Sequence, residues 1–347
     1  MKKSLALIGV FLVMMSTTSI AQEIREESNG LFATRELQRS VMPGKGTQLS
    51  VKSAASLRGE LQILATTEDS AVLTYIKKAR TSRKSHAVDY LDQIAVVLSK
   101  TPSGLKLQMR APNPPPWKAD ESGIVEAVLQ IPEGFAVDIE AAEFDIDADG
   151  PFVSFENTAS LGRMDIAHVS KRLEVQTANQ RITVTDVSGQ ITVSTTNSIL
   201  TAEGISDLSQ PAVLRNDGGD IRIHGLTGGL NVKNAYGRIE VEDWDPGDDK
   251  SYVRCTSGPI LISLAELRTG QLLISNRYED IELMLPEEFS AVLTLTVDGG
   301  SKIEAEHFAF TTELVEQNRL NLVVGDGGGL ISGSIRGKGN IYVTASE

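Results

Sequence analysis

The chain has 347 residues and a formal net charge of −13 at pH 7, with 46 acidic against 33 basic residues. This length can bury a substantial core in one large or two smaller domains, and the acidic balance disfavours nucleic acid or anionic lipid as a partner. Cys255 is the only cysteine, which excludes a disulfide within the chain and favours a buried, inert thiol.

The first 21 residues have the pattern of a secretory signal peptide. Lys2 and Lys3 form a basic start, residues 5–15 are apolar, and Ser19 to Ala21 supply small residues before a cleavage site. The apolar stretch is too short to span a membrane, and no later segment is apolar enough to do so. The sequence therefore predicts export to a bacterial periplasm or cell surface, or secretion, with no transmembrane segment in the mature chain. Loss of two lysines changes the charge to −13 − 2 = −15.

Residues 22–149 show no regular repeat. We expect a linker over residues 22–44 and a capping region of strands and one helix over residues 45–149. Apolar residues alternate, as in strands, over residues 47–79, 93–111 and 124–142.

Two segments interrupt these strands. Residues 82–94 predict a helix that begins at a Ser82 or Ser85 cap. Its apolar face carries Ala87, Tyr90, Leu91 and Ile94. The proline-rich residues 112–118 predict an extended surface loop.

From about residue 160 the chain repeats a short pattern. A polar or thiol residue recurs every 18 to 22 positions, at Thr177, Thr195, Asn216, Asn234, Cys255, Asn276 and Asp298. Apolar residues follow five places later, at Ile182, Leu200, Ile221, Ile239, Ile260, Ile281 and Ile303. Further apolar residues follow seven places later, at Val184, Ala202, Ile223, Val241, Ile262, Leu283 and Ala305.

Such a period of strands and turns is typical of a β-solenoid. We predict an all-β, single-stack β-solenoid (β-helix-like) of about eight rungs over residues 150–347, with the N-terminal region as its β-rich cap containing one short helix. The apolar residues should stack in buried columns, and the Thr/Asn/Cys positions should form a ladder that hydrogen-bonds to the turns. Loops such as residues 243–251 should absorb the differences in spacing.

The order of these segments resembles a known family. It is carried by "GELQILATTEDSAVLTYIKKA" (59–79), "SHAVDYLDQIAVVL" (85–98), "GLKLQMRAP" (104–112) and "AVLQIPEGFAVDIEAA" (127–142), followed by repeated G-x-I-x-V rungs. Residues 45–345 are similar to the DUF4097 family. The resemblance implies an exported or membrane-associated, adhesin-like β-solenoid, and it supplies no catalytic residues.

An acidic stretch, "FDIDADGPFVSFE" (144–156), fits the ligand spacing of an EF-hand loop, D-x-D-x-D-G-x5-E. An EF-hand needs flanking helices, whereas residues 135–147 alternate as a strand. We therefore expect Ile146 and Ala148 to point inward, and Asp145, Asp147 and Asp149 to form a solvated outward row that ends in a turn at Gly150 and Pro151. Calcium on this row remains an alternative, and residues 243–249 are a weaker one.

Two outward glutamates predict one alternative function. Glu240 and Glu282 should lie outward, two rungs or roughly 10 Å apart, with Leu261 between them and Arg222 nearby. A carbohydrate-active enzyme, a polysaccharide lyase or hydrolase, could use such a pair on a β-helix face. The four histidines lack zinc-site spacing.

The sequence therefore indicates no catalytic, cofactor-binding or metal-binding residues. It predicts a non-enzymatic, adhesin-like scaffold whose partners are envelope or surface polysaccharides or proteins.

Overall fold

The computed structural model describes residues 24–118, 120–316 and 318–345. The predicted signal peptide lies outside these residues. The N-terminal elements are β1 (Ile24–Ser28), β2 (Leu31–Thr34), β3 (Leu37–Val41), β4 (Gln48–Ser53), β5 (Leu57–Thr66), β6 (Ala71–Arg80), α1 (Lys84–Gln93), β7 (Ala95–Thr101), β8 (Gly104–Arg110) and β9 (Ser122–Pro132).

The remaining secondary-structure elements of the described chain are all strands. They are β10 (Ala136–Glu140), β11 (Phe144–Ser160), β12 (Met164–Thr177), β13 (Ile182–Thr195), β14 (Leu200–Leu208), β15 (Ala212–Asn216), β16 (Ile221–Thr227), β17 (Leu230–Asn234), β18 (Ile239–Asp245) and β19 (Lys250–Arg254). They continue with β20 (Ile260–Leu264), β21 (Gln271–Asn276), β22 (Ile281–Leu285), β23 (Ala291–Val297), β24 (Ile303–Glu306), β25 (Thr311–Glu316), β26 (Arg319–Val324), β27 (Gly329–Ile335) and β28 (Ile341–Ala345).

The strands form two parallel stacks around a shared core, with strands from successive rungs side by side. The first stack runs β4, β10, β11, β12, β13, β15, β17, β19, β21. The second stack runs β5, β11, β12, β13, β14, β16, β18, β20, β22. The long strands β11, β12 and β13 take part in both stacks. This arrangement confirms the predicted β-solenoid.

The predicted apolar columns are confirmed up to β22. Ile221, Ile239, Ile260 and Ile281 pair in one register, and all are fully buried. Leu200 and Ile182 continue the same column toward the N-terminus. Because a single rung cannot cover its own apolar stripe, stacking is what removes these side chains from water.

The polar ladder is also confirmed. Asn234 Nδ2 donates to the carbonyl oxygen of Gly219 (2.7 Å), and Asn276 Nδ2 donates to that of Gly258 (2.9 Å). Cys255 Sγ lies in the same position and donates to the Gly237 carbonyl (3.3 Å). Each bond links one rung to the turn of the rung before it, so these buried donors are satisfied, whereas Asn234 Oδ1 is buried without a partner. Burial raises the pKa of the Cys255 thiol, as expected for an inert cysteine.

The order of the last rungs differs from the prediction. The sequence pattern places Asp298 and Ile303 directly after the rung of Asn276, but β27 and β28 occupy that position. Strands β23 and β24 pair with the far sides of β27 and β28, so the last rung of the chain lies between two earlier ones. Asp298 is consequently exposed and Ile303 only half-buried.

A hairpin explains this order. Strands β25 and β26 pair with each other, and β26 pairs antiparallel with β23. The hairpin therefore covers the open edge of the first stack, which would otherwise present unpaired backbone groups.

Trp244 is a core residue that the sequence analysis placed in a protruding loop. It is fully buried, and its indole Nε1 donates to the carbonyl oxygen of Gly228 (3.0 Å). It pairs with Leu226 on one side and Leu264 on the other. The preceding residue, Asp243, has a positive φ of 53°, and this bend breaks the alternation of inward and outward side chains.

The N-terminal region is more ordered than predicted. Residues 24–41, treated as a linker above, form β1 to β3, and both β2 and β3 pair with β6. The rungs also begin before residue 150, since β4 and β5 already belong to the two stacks. Strands β8 and β9 extend the two stacks by pairing parallel with β4 and β5, and β7 and β6 cover this end by pairing antiparallel with them.

The predicted helix is present as α1, with Ala87, Tyr90 and Leu91 buried. The expected serine cap is wrong: the N-cap is Arg83, in extended conformation and without a side-chain cap bond. The C-terminal end of α1 is bound by Lys77, whose Nζ donates to the carbonyl oxygens of Leu91 (2.5 Å) and Ile94 (3.1 Å). Burial lowers the pKa of Lys77. Within the described residues, no helix is long and apolar enough to cross a membrane.

Candidate functional site

The outward side chains of the second stack form a column that contains the predicted carboxylates. Arg222, Glu240, Leu261 and Glu282 lie in register on β16, β18, β20 and β22. Glu240 and Glu282 are therefore two strand spacings apart, about 9.5 Å. The outward positions carry this chemistry because the inward positions of the same strands are occupied by the apolar columns.

Tyr342 is the next residue in this column, and the sequence analysis missed it. It pairs with Glu282 on one side and with Glu304 on the other. The sequence did contain a signal, because Ile341 and Val343 flank Tyr342 with the same apolar-x-apolar pattern as the other rungs. That pattern does not show that Tyr342 lies beside Glu282.

A groove of about 410 Å³ lies over these strands. We call it the acidic groove, and it is lined chiefly by Glu240, Glu242, Leu261, Glu282, Met284 and Tyr342. Leu261 lies in register between Glu240 and Glu282, and Tyr342 and Met284, which is 47% exposed, add further apolar surface to the groove. The groove thus combines an apolar strip with acidic groups, as many ligand-binding surfaces do.

The cationic side chains at this groove pair with neighbouring carboxylates. Arg222 Nε lies 3.8 Å from Glu240 Oε2, and Arg222 Nη2 lies 3.3 Å from Asp220 Oδ2. Arg238 Nη1 lies 3.9 Å from the other oxygen of Glu240. Glu240 is therefore held between two guanidinium groups, which satisfy its charge within the protein.

A second hollow of about 380 Å³ adjoins the acidic groove and shares Glu240 and Glu242 with it. His224 lies in register between Glu203 and Glu242, with Nδ1 3.7 Å from Glu242 Oε2. The two hollows together extend the polar surface along the second stack.

Glu240 and Glu282 differ in placement from the carboxylate pair of a glycoside hydrolase. Glu240 and Glu282 project from one stack and approach a ligand from the same side. The two carboxylates of a glycoside hydrolase flank the scissile bond instead.

The acidic stretch of residues 144–156 belongs to a strand, as predicted. Ile146 and Ala148 are buried, while Asp147 and Asp149 are exposed. Asp145 Oδ1 accepts the backbone N–H of Arg163 (2.8 Å), and Asp149 Oδ1 lies 2.7 Å from His168 Nδ1. The expected turn at Gly150 is wrong, because β11 continues through it with a register shift.

The fold and the groove together define a β-solenoid with an open groove on its outer face. The sequence model of the family described as Toastrack DUF4097 matches residues 60–304, well over half of the chain. The chain belongs to this family, which confirms the resemblance seen in the sequence.

Two solved structures are similar to the chain. A "putative cell adhesion protein" from Clostridium sporogenes ATCC 15579 has 10% identity and a TM-score of 0.19, with 90% of this chain and 99% of that chain covered. A "putative adhesin" from Bacteroides fragilis NCTC 9343 has 11% identity and a TM-score of 0.28, with 89% and 97% covered. No curated protein sequence matches this chain. Identities and TM-scores this low carry no function from those proteins to this one.

Proposed function

We propose that this protein is a non-enzymatic, exported, adhesin-like β-solenoid that binds an envelope or surface polysaccharide or protein. The observation that carries this proposal is the outward apolar surface of Leu261, Met284 and Tyr342, which lines the acidic groove together with its glutamates. Apolar surface kept outward on a regular strand stack suits ligand recognition.

The stacked fold supports a binding role. Each rung is fixed by backbone pairing to both neighbours, so the outward columns are rigid before a ligand arrives. Preorganised surfaces lose less conformational freedom on binding, which favours affinity. The paired charges of Glu240, Arg222 and Arg238 also fit recognition by shape and hydrogen bonding.

The proposal includes the processing and division of the chain. A signal peptide over residues 1–21 would direct export. Residues 45–149 would supply the first strands of both stacks and their cap, and residues 150–347 would continue the repeats. The predicted signal supports an extracytoplasmic location. Residues 24–41 join the cap, since they pair with β6.

A carbohydrate-active enzyme on the same groove is the second candidate. The spacing of Glu240 and Glu282 favours it, because about 9.5 Å is close to the upper end of the range of roughly 6.5–9.5 Å for inverting hydrolases.

One experiment separates the two functions. The protein is incubated with acidic and neutral polysaccharides, with and without calcium, and reducing ends, unsaturated products and binding are measured. We expect binding without products, weakened by Met284→Ala and Tyr342→Ala. Thr183→Ala, in the same column but several rungs away, is the matched control. Turnover that disappears in Glu240→Gln or Glu282→Gln would overturn the proposal.

A further inference from the structure

A second and larger groove lies on the first stack, on the strands that form the other half of the same rungs. It has a volume of about 980 Å³. We call it the arginine groove, and its principal side chains are Tyr252, Arg254, Arg277, Tyr278 and Arg336. It shares none of these residues with the acidic groove.

Small side chains create the space in this groove. Arg254 on β19 is in register with Ser275 on β21, and Ser275 is in register with Ser334 on β27. Ser332 on β27 is in register with Leu273, which is in turn in register with Tyr252. The serines form a floor of hydroxyl groups, and the longer arginine and tyrosine side chains border it.

Two of the three arginines of this groove lie over aromatic rings, and none of the three has an acidic partner among the described residues. The Arg254 guanidinium lies 5.1 Å from the centre of the Tyr252 ring, and the Arg277 guanidinium lies 5.1 Å from that of Tyr278. Among the residues that the structure describes, Arg254, Arg277 and Arg336 make no ion pair within 4.0 Å. One carboxylate, Asp298, also lines the groove. Three guanidinium groups therefore remain available to an anionic ligand.

A basic row leads into the groove. Arg215, Lys233 and Arg254 occupy the same outward position on β15, β17 and β19. Their alignment along the stack presents positive charge over several rungs, on a protein whose net charge is −13. An extended anion that follows the stack could contact this row and the groove together.

Exposed aromatic rings lie beside the same path. Tyr236 is 70% exposed and Tyr278 is 45% exposed. Each follows its ladder asparagine, Asn234 or Asn276, by two residues, so the two tyrosines occupy the same turn position two rungs apart. Two strand spacings are about 9.5 Å, which is close to the length of two linked sugar rings. Aromatic rings at such intervals offer stacking surfaces for a sugar chain.

We propose that the arginine groove binds an acidic polysaccharide, a sugar chain with carboxylate or sulfate groups. The arginines bind its anionic groups, the serine floor hydrogen-bonds its hydroxyls, and the exposed tyrosines contact its rings. This site is separate from the acidic groove, so the binding proposed there and the binding proposed here can fail independently.

Other anionic partners fit less well. A nucleic acid carries a far denser charge, which the acidic remainder of the surface opposes. The flat surface of a lipid vesicle does not reach the floor of a recessed groove. The acidic groove of a second copy is itself concave, and two concave surfaces do not pack against each other.

The test measures binding of defined probes to the full chain. Polygalacturonate supplies carboxylates, dextran sulfate supplies sulfates, and dextran is the neutral control. Isothermal titration at low and high salt should show binding to at least one anionic probe, weakened by salt, and none to dextran. Comparison of the two anionic probes identifies the acidic group that is recognised.

Variants locate the binding. Arg254→Gln should weaken it about tenfold, because a charge-assisted hydrogen bond is lost. The triple variant Arg254→Gln, Arg277→Gln, Arg336→Gln should abolish it. The matched control removes the same charge from exposed positions elsewhere, through Arg35→Gln, Arg39→Gln and Arg319→Gln, and should bind nearly as well as the parent protein.

The outcomes decide the proposal. Equal losses in the two triple variants would show general charge attraction and overturn it, as would failure of both anionic probes to bind. Duplex DNA that binds as tightly as the polysaccharides, and is lost with Arg254, Arg277 and Arg336, would replace the polysaccharide by a nucleic acid. Thermal unfolding checks that each variant is folded, and Tyr278→Ala tests the aromatic contact without a change of charge.

Discussion

The acidic groove and the arginine groove are built on the same rungs, yet their outward chemistry is opposite. In both, alternate side chains of each strand point into a common apolar core. The second stack carries Glu240 and Glu282 outward, whereas the first stack carries Arg254 at the corresponding surface. Inward positions are constrained by packing, while outward positions are free to differ between the two stacks.

The two grooves also differ in how their charges are satisfied. Arg222 and Arg238 are paired with Glu240 in the second stack. Arg254 and Arg277 of the first stack lie over tyrosine rings instead. Paired cations help to define a surface, and cations without a carboxylate partner are available for a ligand. This difference is why we infer an anionic ligand for one groove only.

Loss of the shared core should affect both grooves. Trp244→Ala removes a fully buried indole and the hydrogen bond to Gly228, and we expect a loss of about 3–5 kcal/mol in the free energy of unfolding. Chemical denaturation measures this loss, with Tyr236→Ala, an exposed aromatic, as the control. A small effect of Trp244→Ala would show that the two stacks do not depend on one core.

The ladder connects the two stacks at the turn, so its loss should have the next largest effect. Asn234→Leu and Asn216→Leu each leave turn carbonyls without a donor, and we expect destabilisation by about 1–3 kcal/mol. The exposed Asn231, changed to leucine, is the control for Asn234. Unchanged thermal unfolding of both ladder variants would contradict the structural role of these asparagines.

The N-terminal cap should respond to pH independently of the grooves. Hydrogen bonds from Thr81 and Tyr90 lower the pKa of Glu121 to about 2, from an ordinary value of 4.5. A depressed carboxyl pKa stabilises the fold fully above pH 4.5, and this contribution is lost as the pH falls from 4.5 toward about 2.

The same contact raises the pKa of Tyr90 to about 12, so its contribution is lost as the pH rises from 10 to about 12. Thermal unfolding over both pH ranges measures these losses. Glu121→Gln should remove the acid-side dependence that belongs to the cap. An identical acid profile in the variant would assign that dependence to other carboxylates.

Ion pairs at the acidic groove should contribute little to stability. Arg222 is about half exposed, so Arg222→Gln should cost less than about 1 kcal/mol. Arg254→Gln should cost no more, since Arg254 has no ion pair to lose. Chemical denaturation of the two variants measures this cost. A large loss in the free energy of unfolding for either variant would show that its arginine stabilises the fold.

Calcium should have the smallest effect. Asp145, Asp147 and Asp149 lie outward on β11, where Asp145 binds a backbone N–H and Asp149 binds His168. We expect no appreciable rise in the melting temperature with calcium. A rise that saturates with calcium and disappears in Asp147→Ala would demonstrate a specific site, because binding to the folded state must stabilise it.

The sequence by itself determined the repeating core. The spacing of Ile221, Ile239 and Ile260 predicts one buried column, and the ladder asparagines before each turn predict their bonds to the backbone. This regularity is visible in the sequence because every rung buries side chains at the same positions, and similar apolar residues fill those positions. The spacing of the repeat also predicted the register of Glu240, Leu261 and Glu282.

Only the tertiary structure decided which strands became neighbours at the end of the stack. By pattern alone, β24 and β28 fit equally well beside β22. In the structure β28 takes that place and the β25–β26 hairpin covers β23. The positive φ of Asp243 likewise turned Trp244 inward against the expected alternation. Contacts between residues distant in sequence also decide which arginines have no carboxylate partner. A repeat pattern in the sequence does not predict those contacts.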